Sequence, residues 1–501
     1  VLGGSTFPAL TPSGNALLTT AGTKAGAIVA ADVAVNGTGV LSFGQPAAPK
    51  MIGAGVHADV HDLVYAKAGA RLWAACDGGV YRSDRPDQLV GFAAMNDGLG
   101  VIEANYVACH PVCEGRVAVG LQDNGVISLR SGAVWNHDGD GDGGGIAFDP
   151  LDTTRYLRQF FRGGWGSSDS TFSLKLSAAE NTADHCAFYS TPAAVKKNRP
   201  GAPAGQRDVM QVIIGTSRLW YSEDFGKNWV TLPGASAPPA GNLGHDGFGQ
   251  KITVCRWQGS EVAWVLGEGR LKRFARTAGS DTAAGPGTWT AEVIVEKGVK
   301  AKKDTTDTDG PIRDAAVWTD IAVNLDAPGS ARGTRGALYL GTTGKAADEA
   351  VDTLWWFDGT DHWHATGLRR DGVPAPVTSI VCDPTLPNEV YVGTTIGVWK
   401  GVRTQVGSAA PTWSWKESDG QGAGARLNGL PEAAVEDLAI FSRNGLRLLR
   451  AAIAARGVWE LRLDVPDLEE RVYLRAHDDD LRHRLPAVVL GGDGVTLRSW
   501  H

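Results

Sequence analysis

Val390-Tyr391-Val392-Gly393-Thr394-Thr395-Ile396-Gly397-Val398-Trp399 is the stretch that decides the fold. A β-branched and aromatic run ends in Gly393, a short polar turn follows, and a second run opens on Gly397-Val398-Trp399. Strand-forming residues on both sides of a Gly-containing turn predict an antiparallel hairpin.

The same pattern recurs along the chain. Leu72-Trp73-Ala74 leads to Gly79-Val80-Tyr81, and Val117-Ala118-Val119-Gly120 leads to Gly125-Val126-Ile127. Val212-Ile213-Ile214-Gly215 precedes Leu219-Trp220, Leu338-Tyr339-Leu340-Gly341 precedes Leu354-Trp355, and Leu448-Leu449 precedes Gly457-Val458-Trp459. Weaker copies are Tyr156-Leu157 with Gly164-Trp165, and Val262-Ala263-Trp264 with Gly269-Arg270-Leu271. A strand often precedes the pair, as in Ile146-Ala147-Phe148 before Asp149-Pro150 and Ser379-Ile380-Val381 before Asp383-Pro384. A fourth often ends in Trp: Trp135, Trp229, Trp289, Trp363 and Trp413. Four antiparallel strands in roughly 50 residues are the blade of a β-propeller. One blade buries little apolar surface, so such blades need a closed ring.

The expectation is therefore an all-β chain: a single β-propeller of seven or eight four-stranded antiparallel blades over residues 1–463. Residues 464–501 read as a linker and a short C-terminal β segment starting near Val472-Tyr473-Leu474-Arg475. That segment either begins a further domain or packs on the propeller. The Ala-rich stretch 177–195 is expected to hold a short helix, and 196–208 and 276–310, which are polar, are expected to be long loops.

Composition agrees with this class. Glycine supplies 66 of 501 residues, roughly twice average usage, as many tight turns require. Charged residues are only 21%, unlike a disordered chain. The net charge is -7 and no Lys/Arg run reaches five residues, so the cationic footprint that nucleic acid requires is missing. No apolar run is long enough for a transmembrane segment. Val1-Leu2-Gly3-Gly4 lacks a basic stretch followed by an apolar core, so no signal peptide is expected within this chain. Cys109 and Cys113 flank His110-Pro111-Val112 and read either as a local disulfide or as two thiols. The absence of a C-x-x-C pair argues against a zinc ribbon.

Ser222-Glu223-Asp224-Phe225-Gly226-Lys227-Asn228-Trp229 matches the Asp-box, Ser-x-Asp-x-Gly-x-x-Trp. Its Asp can accept turn N–H groups, its Gly supplies positive φ, and its Trp packs between blades. Ser222, Asp224, Gly226 and Trp229 are thus expected to be structural. Further along the same lines are His57-Ala58-Asp59-Val60-His61, Asp77-Gly78-Gly79-Val80-Tyr81, Gly120-Leu121-Gln122-Asp123-Asn124-Gly125 and Gly141-Asp142-Gly143-Gly144. Together these resemble the bacterial Asp-box (BNR-repeat) propellers related to sortilin and to xyloglucanase-type glycoside hydrolases, over residues 50–460 and most strongly over 55–165. The resemblance implies a secreted or surface-exposed propeller. It implies no single function, because such folds carry hydrolases and receptors alike.

Several residues carry candidate chemistry. In xyloglucanase-type enzymes an Asp in an Asp-x-Gly-Gly setting does acid–base work. Asp77 stands directly before Gly78-Gly79, and Asp246, within Gly244-His245-Asp246-Gly247-Phe248-Gly249, is the best second carboxylate. Glycoside hydrolysis needs two such groups across a cleft, and each Asp reads equally as a turn cap. His57, Asp59 and His61 alternate and on a strand would share one face, open to a ligand or a metal. Asp138, Asp140 and Asp142, with Gly143 sixth, fit the first half of a calcium loop, but position twelve is Asp149 rather than Glu. Gln122-Asp123-Asn124-Gly125 reads as a hairpin with Asn-Gly at its centre, its Gln122 and Asp123 available to a ligand. Neither the arginine cluster of a sialidase nor a Gly-x-Ser-x-Gly elbow is found.

The reading that follows is a non-catalytic, secreted or surface-displayed propeller that binds a glycan or protein partner at one face of its ring. It requires no cofactor; calcium is the metal its acidic loop would take. The alternatives are a xyloglucanase-like hydrolase acting on a β-glucan, with Asp77 and Asp246 catalytic, and a structural module of a larger extracellular assembly.

Overall fold

The computed structural model describes residues 2–3, 28–43, 50–53, 56–66, 71–86, 91–97, 99, 102–131, 134–139, 141–161, 164–168, 173–175, 187–198, 208–216, 219–232, 251–257, 260–267, 270–277, 287–296, 317–324, 336–343, 352–360, 362–370, 372–405, 409–417, 430–431 and 433–464. Among them no α-helix occurs, and the strands form small sheets with antiparallel ladders. The chain divides into two compact units, residues 1–102 and 103–501.

The first unit holds a four-stranded sheet of Val60–Tyr65, Leu72–Cys76, Gly79–Ser83 and Ala93–Ala94. A three-stranded sheet pairs Leu2–Gly3, Ile28–Ala30 and Lys50–Met51. Ile28, Ile52, Leu72, Ala74 and Phe92 form its core.

Among the described residues the second unit holds seven sheets of three or four strands in succession, with a two-stranded hairpin, Arg369–Arg370 and Val373–Pro374, between the fifth and the sixth. The first contains Ala104–Cys109, Val117–Leu121, Gly125–Ser131 and Val134–Gly139. The second contains Ile146–Phe148, Tyr156–Gln159, Gly164–Ser167 and Ser173–Lys175. The third contains Ala193–Asn198, Asp208–Gly215, Leu219–Ser222 and Val230–Thr231. The fourth contains Lys251–Trp257, Ser260–Gly267, Arg270–Arg276 and Trp289–Glu296. The fifth contains Trp318–Val323, Leu338–Thr342, Leu354–Phe357 and Trp363–Ala365. The sixth contains Val377–Cys382, Glu389–Thr394, Gly397–Thr404 and Thr412–Glu417. The seventh has three strands, Val435–Arg443, Leu446–Ile453 and Gly457–Arg462.

Several expectations change. The two weak copies form complete four-stranded sheets, the second and the fourth. Ala193–Asn198 is a strand and 187–192 are not helical, so of the stretch 177–195, expected to hold a short helix, only 177–186 remains, and it lies outside the described residues. The same strand and the one from Asp208 also take both ends of the expected loop 196–208. Trp289–Glu296 is a strand within the expected loop 276–310. None of the five tryptophans closes its fourth strand: Trp289 and Trp363 open theirs, Trp135 and Trp413 are second, and Trp229 stands just before Val230–Thr231.

Packing is between sheets, not within one central core. Trp264, Leu266 and Leu271 of the fourth sheet meet Trp318, Leu340, Trp355 and Phe357 of the fifth. Tyr339 and Trp356 of the fifth meet Ile380, Val392 and Trp399 of the sixth. Val398 of the sixth meets Val435, Leu438 and Leu449 of the seventh. Each large side chain so buried contributes roughly 1.5–3 kcal/mol.

The repeat has a second signature in the first strand of its sheets. A bulge interrupts the ladder between Ala104 and Tyr106, Trp318 and Asp320, Val377 and Ser379, and Val435 and Asp437. The residue after each bulge stands opposite a small residue on the second strand: Gly120, Gly341, Gly393 and Ala452. These positions are small because the next sheet presses on them. A Cβ at Gly341 would come 2.5 Å from Val377 Cγ1, and one at Gly393 would come 2.7 Å from Val435 Cγ1.

Polar residues tie the sheets together. Asp320 accepts the Ile380 N–H at 2.6 Å, and Asp437 accepts the Ser379 hydroxyl at 3.1 Å. At the other end of the strand, His110, Asp149, Asn324 and Asp383 are buried and cap the following turn or reach the next sheet. Asp149 accepts the Leu151 N–H at 2.9 Å, and Asp383 accepts the Thr385 N–H at 2.8 Å. Asn324 donates to the Pro387 carbonyl at 2.6 Å. The first and seventh sheets are joined as well: Val107 N–H donates to Asp437 at 3.1 Å, Arg450 to the Glu114 carbonyl at 2.7 Å, and Arg443 to the Val112 carbonyl at 2.8 Å.

Candidate functional site

The Asp-box forms as its residues dictate. Ser222 Oγ accepts the Gly226 N–H at 2.7 Å and donates to Asp224 at 2.8 Å, while Asp224 accepts both nitrogens of Asn228. Phe225 and Gly226 take φ of 56° and 90°. Burial pushes the Asp224 carboxyl up, but the donors from Asn228 and Ser222 outweigh it and leave its pKa lowered. Trp229 packs beside Phe225 and Val212, between the second and third sheets. The Ser222 and Asp224 side chains are thus engaged within the turn itself.

In the first unit Asp59 has φ of 58° and the strand starts at Val60. His57, Asp59 and His61 therefore do not lie along one strand, and the shared face that alternation predicts is lost. His57 Nδ1 faces the Ala58 carbonyl at 3.2 Å, and its ring lies where a Cβ at Gly78 would fall. His61, more than half exposed, pairs through Nε2 with Asp77. The Asp77-Gly78 turn is clamped by Asn96, which accepts the Val80 N–H at 2.8 Å and donates to the Gly78 carbonyl at 2.9 Å. Asp246, the other expected hydrolytic carboxylate, lies outside the described residues.

In the second unit the glycine-rich segment after the first sheet packs tightly. Leu121 pairs with Gly125, so Gln122-Asp123-Asn124 is a three-residue loop rather than a hairpin centred on Asn-Gly. Asp123, with φ of 58°, occupies a left-handed position, which Asp tolerates better than most residues. Gln122 Oε1 accepts from Asn105 at 3.5 Å. Asp142 accepts the Asp123 N–H at 3.3 Å and the Tyr189 hydroxyl at 3.2 Å. Asp138 instead joins Ser128, Arg130 and the Tyr156 hydroxyl. Asp140 lies outside the described residues. The glycines of this segment serve close approach: Gly143 N–H donates to the Leu121 carbonyl at 2.8 Å, and a Cβ there would collide with the Gly125 carbonyl.

Beside this loop runs a chain of aromatic rings that the sequence reading missed. Phe160 stands 4.7 Å from Phe161, Phe161 stacks 5.6 Å from Phe188, Phe188 meets Tyr189 edge-on at 4.7 Å, and Tyr189 meets Tyr106 edge-on at 5.7 Å. Phe160 is 46% exposed, and the other four rings are half-buried. Tyr189 is kept a phenol by burial and by the Asp142 carboxylate, both of which raise its pKa. Doubled aromatics at Phe160-Phe161 and Phe188-Tyr189 were the available signal.

Tyr106 also lines a cavity of about 310 Å³ with Val107, Ile146, Thr191, Ile321, Ile380, Cys382 and Asp437, from five of the seven sheets and the approach to the third. Burial, then Asp320 and Asp383, push the Cys382 thiol far up, so it is no nucleophile at neutral pH. Cys109 and Cys113 are free thiols, not a disulfide, and Cys109 Sγ accepts from Arg450 at 3.1 Å.

The described residues thus define an all-β protein of small antiparallel sheets. In fold it is similar to a GH74 xyloglucanase from Xanthomonas campestris, at 15% identity and a TM-score of 0.41, covering 74% of this chain and 54% of that one. It is similar to an ancestral GH74 enzyme at 12% identity and a TM-score of 0.28, covering 80% and 61%. YCF48 from Cyanidioschyzon merolae aligns at 12% identity and a TM-score of 0.39, covering 69% and 87%. The alignments with the two GH74 enzymes span less than two thirds of those enzymes' length. No protein-family model and no curated protein matches the chain in sequence.

Proposed function

We propose that the seven sheets between Ala104 and Arg462 close into an Asp-box propeller, and that one end of its ring binds a glycan without cleaving it. Closure is supported by the hydrogen bonds between the first and seventh sheets and by a cavity that strands of five sheets share.

One observation carries the functional reading: the run of five rings from exposed Phe160 to Tyr106 at the cavity. A pyranose presents a face of C–H groups and a rim of hydroxyls. Aromatic faces carry partial negative charge that attracts C–H groups, and the carboxylates of Asp123 and Asp142, with the amide of Gln122, suit the hydroxyl rim. An apolar, aromatic surface with a few polar groups beside it is the general form of a small-ligand site. Asp138 and Asp142 hold protein partners of their own, so this reading routes no step through calcium. A site outside the cell, as the family resemblance implies, suits a glycan ligand.

Isothermal titration calorimetry with cellohexaose, laminarihexaose and chitohexaose tests the proposal. At least one is expected to bind, and Phe160→Ala is expected to weaken that binding about tenfold, the equivalent of ~1.4 kcal/mol. No binding by any of them, or affinity untouched in Phe160→Ala, contradicts it. Release of reducing ends that depends on Asp77 would favour the hydrolase instead.

A further inference from the structure

The second sheet breaks the rule that its neighbours keep. Where the first, fifth, sixth and seventh sheets place Gly120, Gly341, Gly393 and Ala452, the second places Gln159. Its N–H donates to the Gly145 carbonyl at 3.0 Å, in the register where the other sheets place their small residue. The volume for a Gln comes from the facing segment. A Cβ at Gly144 would collide with Gln159 Oε1, and one at Gly145 would collide with the Ser190 carbonyl. The glycines have moved across the junction and a polar side chain has taken their space.

That side chain is only half satisfied. Gln159 and Ser190 are 0% and 1% exposed. Gln159 Oε1 accepts the Ser190 N–H at 2.7 Å, which fixes the amide with its nitrogen facing away. Gln159 Nε2 and Ser190 Oγ, both buried, have no hydrogen-bond partner. Leaving two such groups unpaired in a native interior is costly. One oxygen able to accept from the amide and exchange a hydrogen bond with the hydroxyl would satisfy both. The residues next to this pair, Ile146 after Gly145 and Thr191 after Ser190, line the cavity, and Tyr189 before Ser190 belongs to the aromatic run.

We infer that Gln159 Nε2 and Ser190 Oγ form a subsite for one hydroxyl-type oxygen behind the cavity wall. Water fills it in the free protein, and a hydroxyl at the end of a saccharide is the second source of the same chemistry. The water part stands alone, while the saccharide part rests on the glycan reading above.

A high-resolution crystal structure of the whole chain without ligand tests the first part. An ordered oxygen within hydrogen-bond reach of both atoms is expected, whereas a dry gap or a direct Gln159–Ser190 side-chain bond overturns the subsite. For the second part, cellohexaose is titrated into wild type, Ser190→Ala and, as a shape-preserving control, Gln159→Met. Affinity lowered five- to tenfold in both variants, with unchanged circular dichroism, supports a saccharide hydroxyl in the subsite. Unchanged affinity, with the oxygen retained in the complex, supports water as its occupant and overturns the saccharide part. If cellohexaose fails to bind wild type, the glycan reading suffers, and the crystal structure still decides the subsite.

Discussion

The junction of the sixth and seventh sheets and the junction around the second sheet solve one packing problem in opposite ways. At the first, Gly393 gives up its side chain so that Val435 can press against the strand. At the second, Gly144 and Gly145 give up theirs against Gln159 and the Ser190 carbonyl, and Gln159 brings an amide into the junction. The glycan face proposed here, with its aromatic run, lies at the second. Where a repeat is kept, the position serves packing; where it is broken, polar chemistry enters, as expected when local rules fail at functional sites.

Breaking a backbone contact in the glycine-rich segment that leads into the polar junction is expected to cost most. A Cβ at Gly143 meets backbone, the Gly125 carbonyl and the Leu121 nitrogen, which cannot move independently. Gly143→Ala should lose about 3 kcal/mol or more of stability by denaturant unfolding. Gly393→Ala meets the Val435 side chain at 2.7 Å, which can yield in part, so about 1–3 kcal/mol is expected. Equal costs at the two sites would remove the distinction between them.

A smaller effect concerns pH. His110 Nδ1 accepts the Val112 and Cys113 N–H groups at 3.1 Å each, so Nε2 carries the proton and donates to the Asp149 carbonyl at 3.1 Å. The ring is therefore neutral when folded, and burial holds its pKa below the ordinary value. Below about pH 6.5 the unfolded chain binds a proton that the folded chain does not. Stability is then lost as pH falls from there through the folded value. His110→Asn, the residue type that ends the fifth sheet's strand at Asn324, should flatten that decline in unfolding free energy measured between about pH 7 and pH 5. An unchanged slope would place the acid sensitivity elsewhere.

The smallest effects are expected from Phe160→Ala on stability and from chelation. Phe160 is 46% exposed, so its loss should change unfolding free energy by less than about 0.5 kcal/mol while weakening saccharide binding. EDTA should leave the melting temperature unchanged, because Asp138 and Asp142 already hold protein donors. A calcium-dependent rise would mean that an ion displaces those donors and stabilises the fold by mass action.

The hairpins were legible because Gly393 and its counterparts punctuate strand-forming runs. The strand before each pair was harder to read, since a bulge adds one residue and breaks two-residue alternation. Trp318-Thr319-Asp320-Ile321 and Val435-Glu436-Asp437-Leu438 are the same element in unlike letters. The copy near Tyr156 looked weak because its Gly had become Gln159, the change that marks it as unusual. Of the site, Gln122, Asp123 and Asp142 could be read from glycine-rich turns. The rings of Phe160-Phe161 and Phe188-Tyr189 come together only through the packing of the second and third sheets, which sequence spacing does not encode. Asp59 shows the opposite error: alternation suggests a strand through it, while its left-handed φ of 58° sets it outside the strand that starts at Val60.

The central claim is a ring of seven sheets in which the first returns to the seventh. An experimental electron-density map of the whole chain tests it most directly. Seven sheets around one axis, with the Val107 N–H bonded to the Asp437 carboxylate, is the predicted result. A further sheet standing between those two residues, or an open row of sheets with the two ends apart, would contradict it.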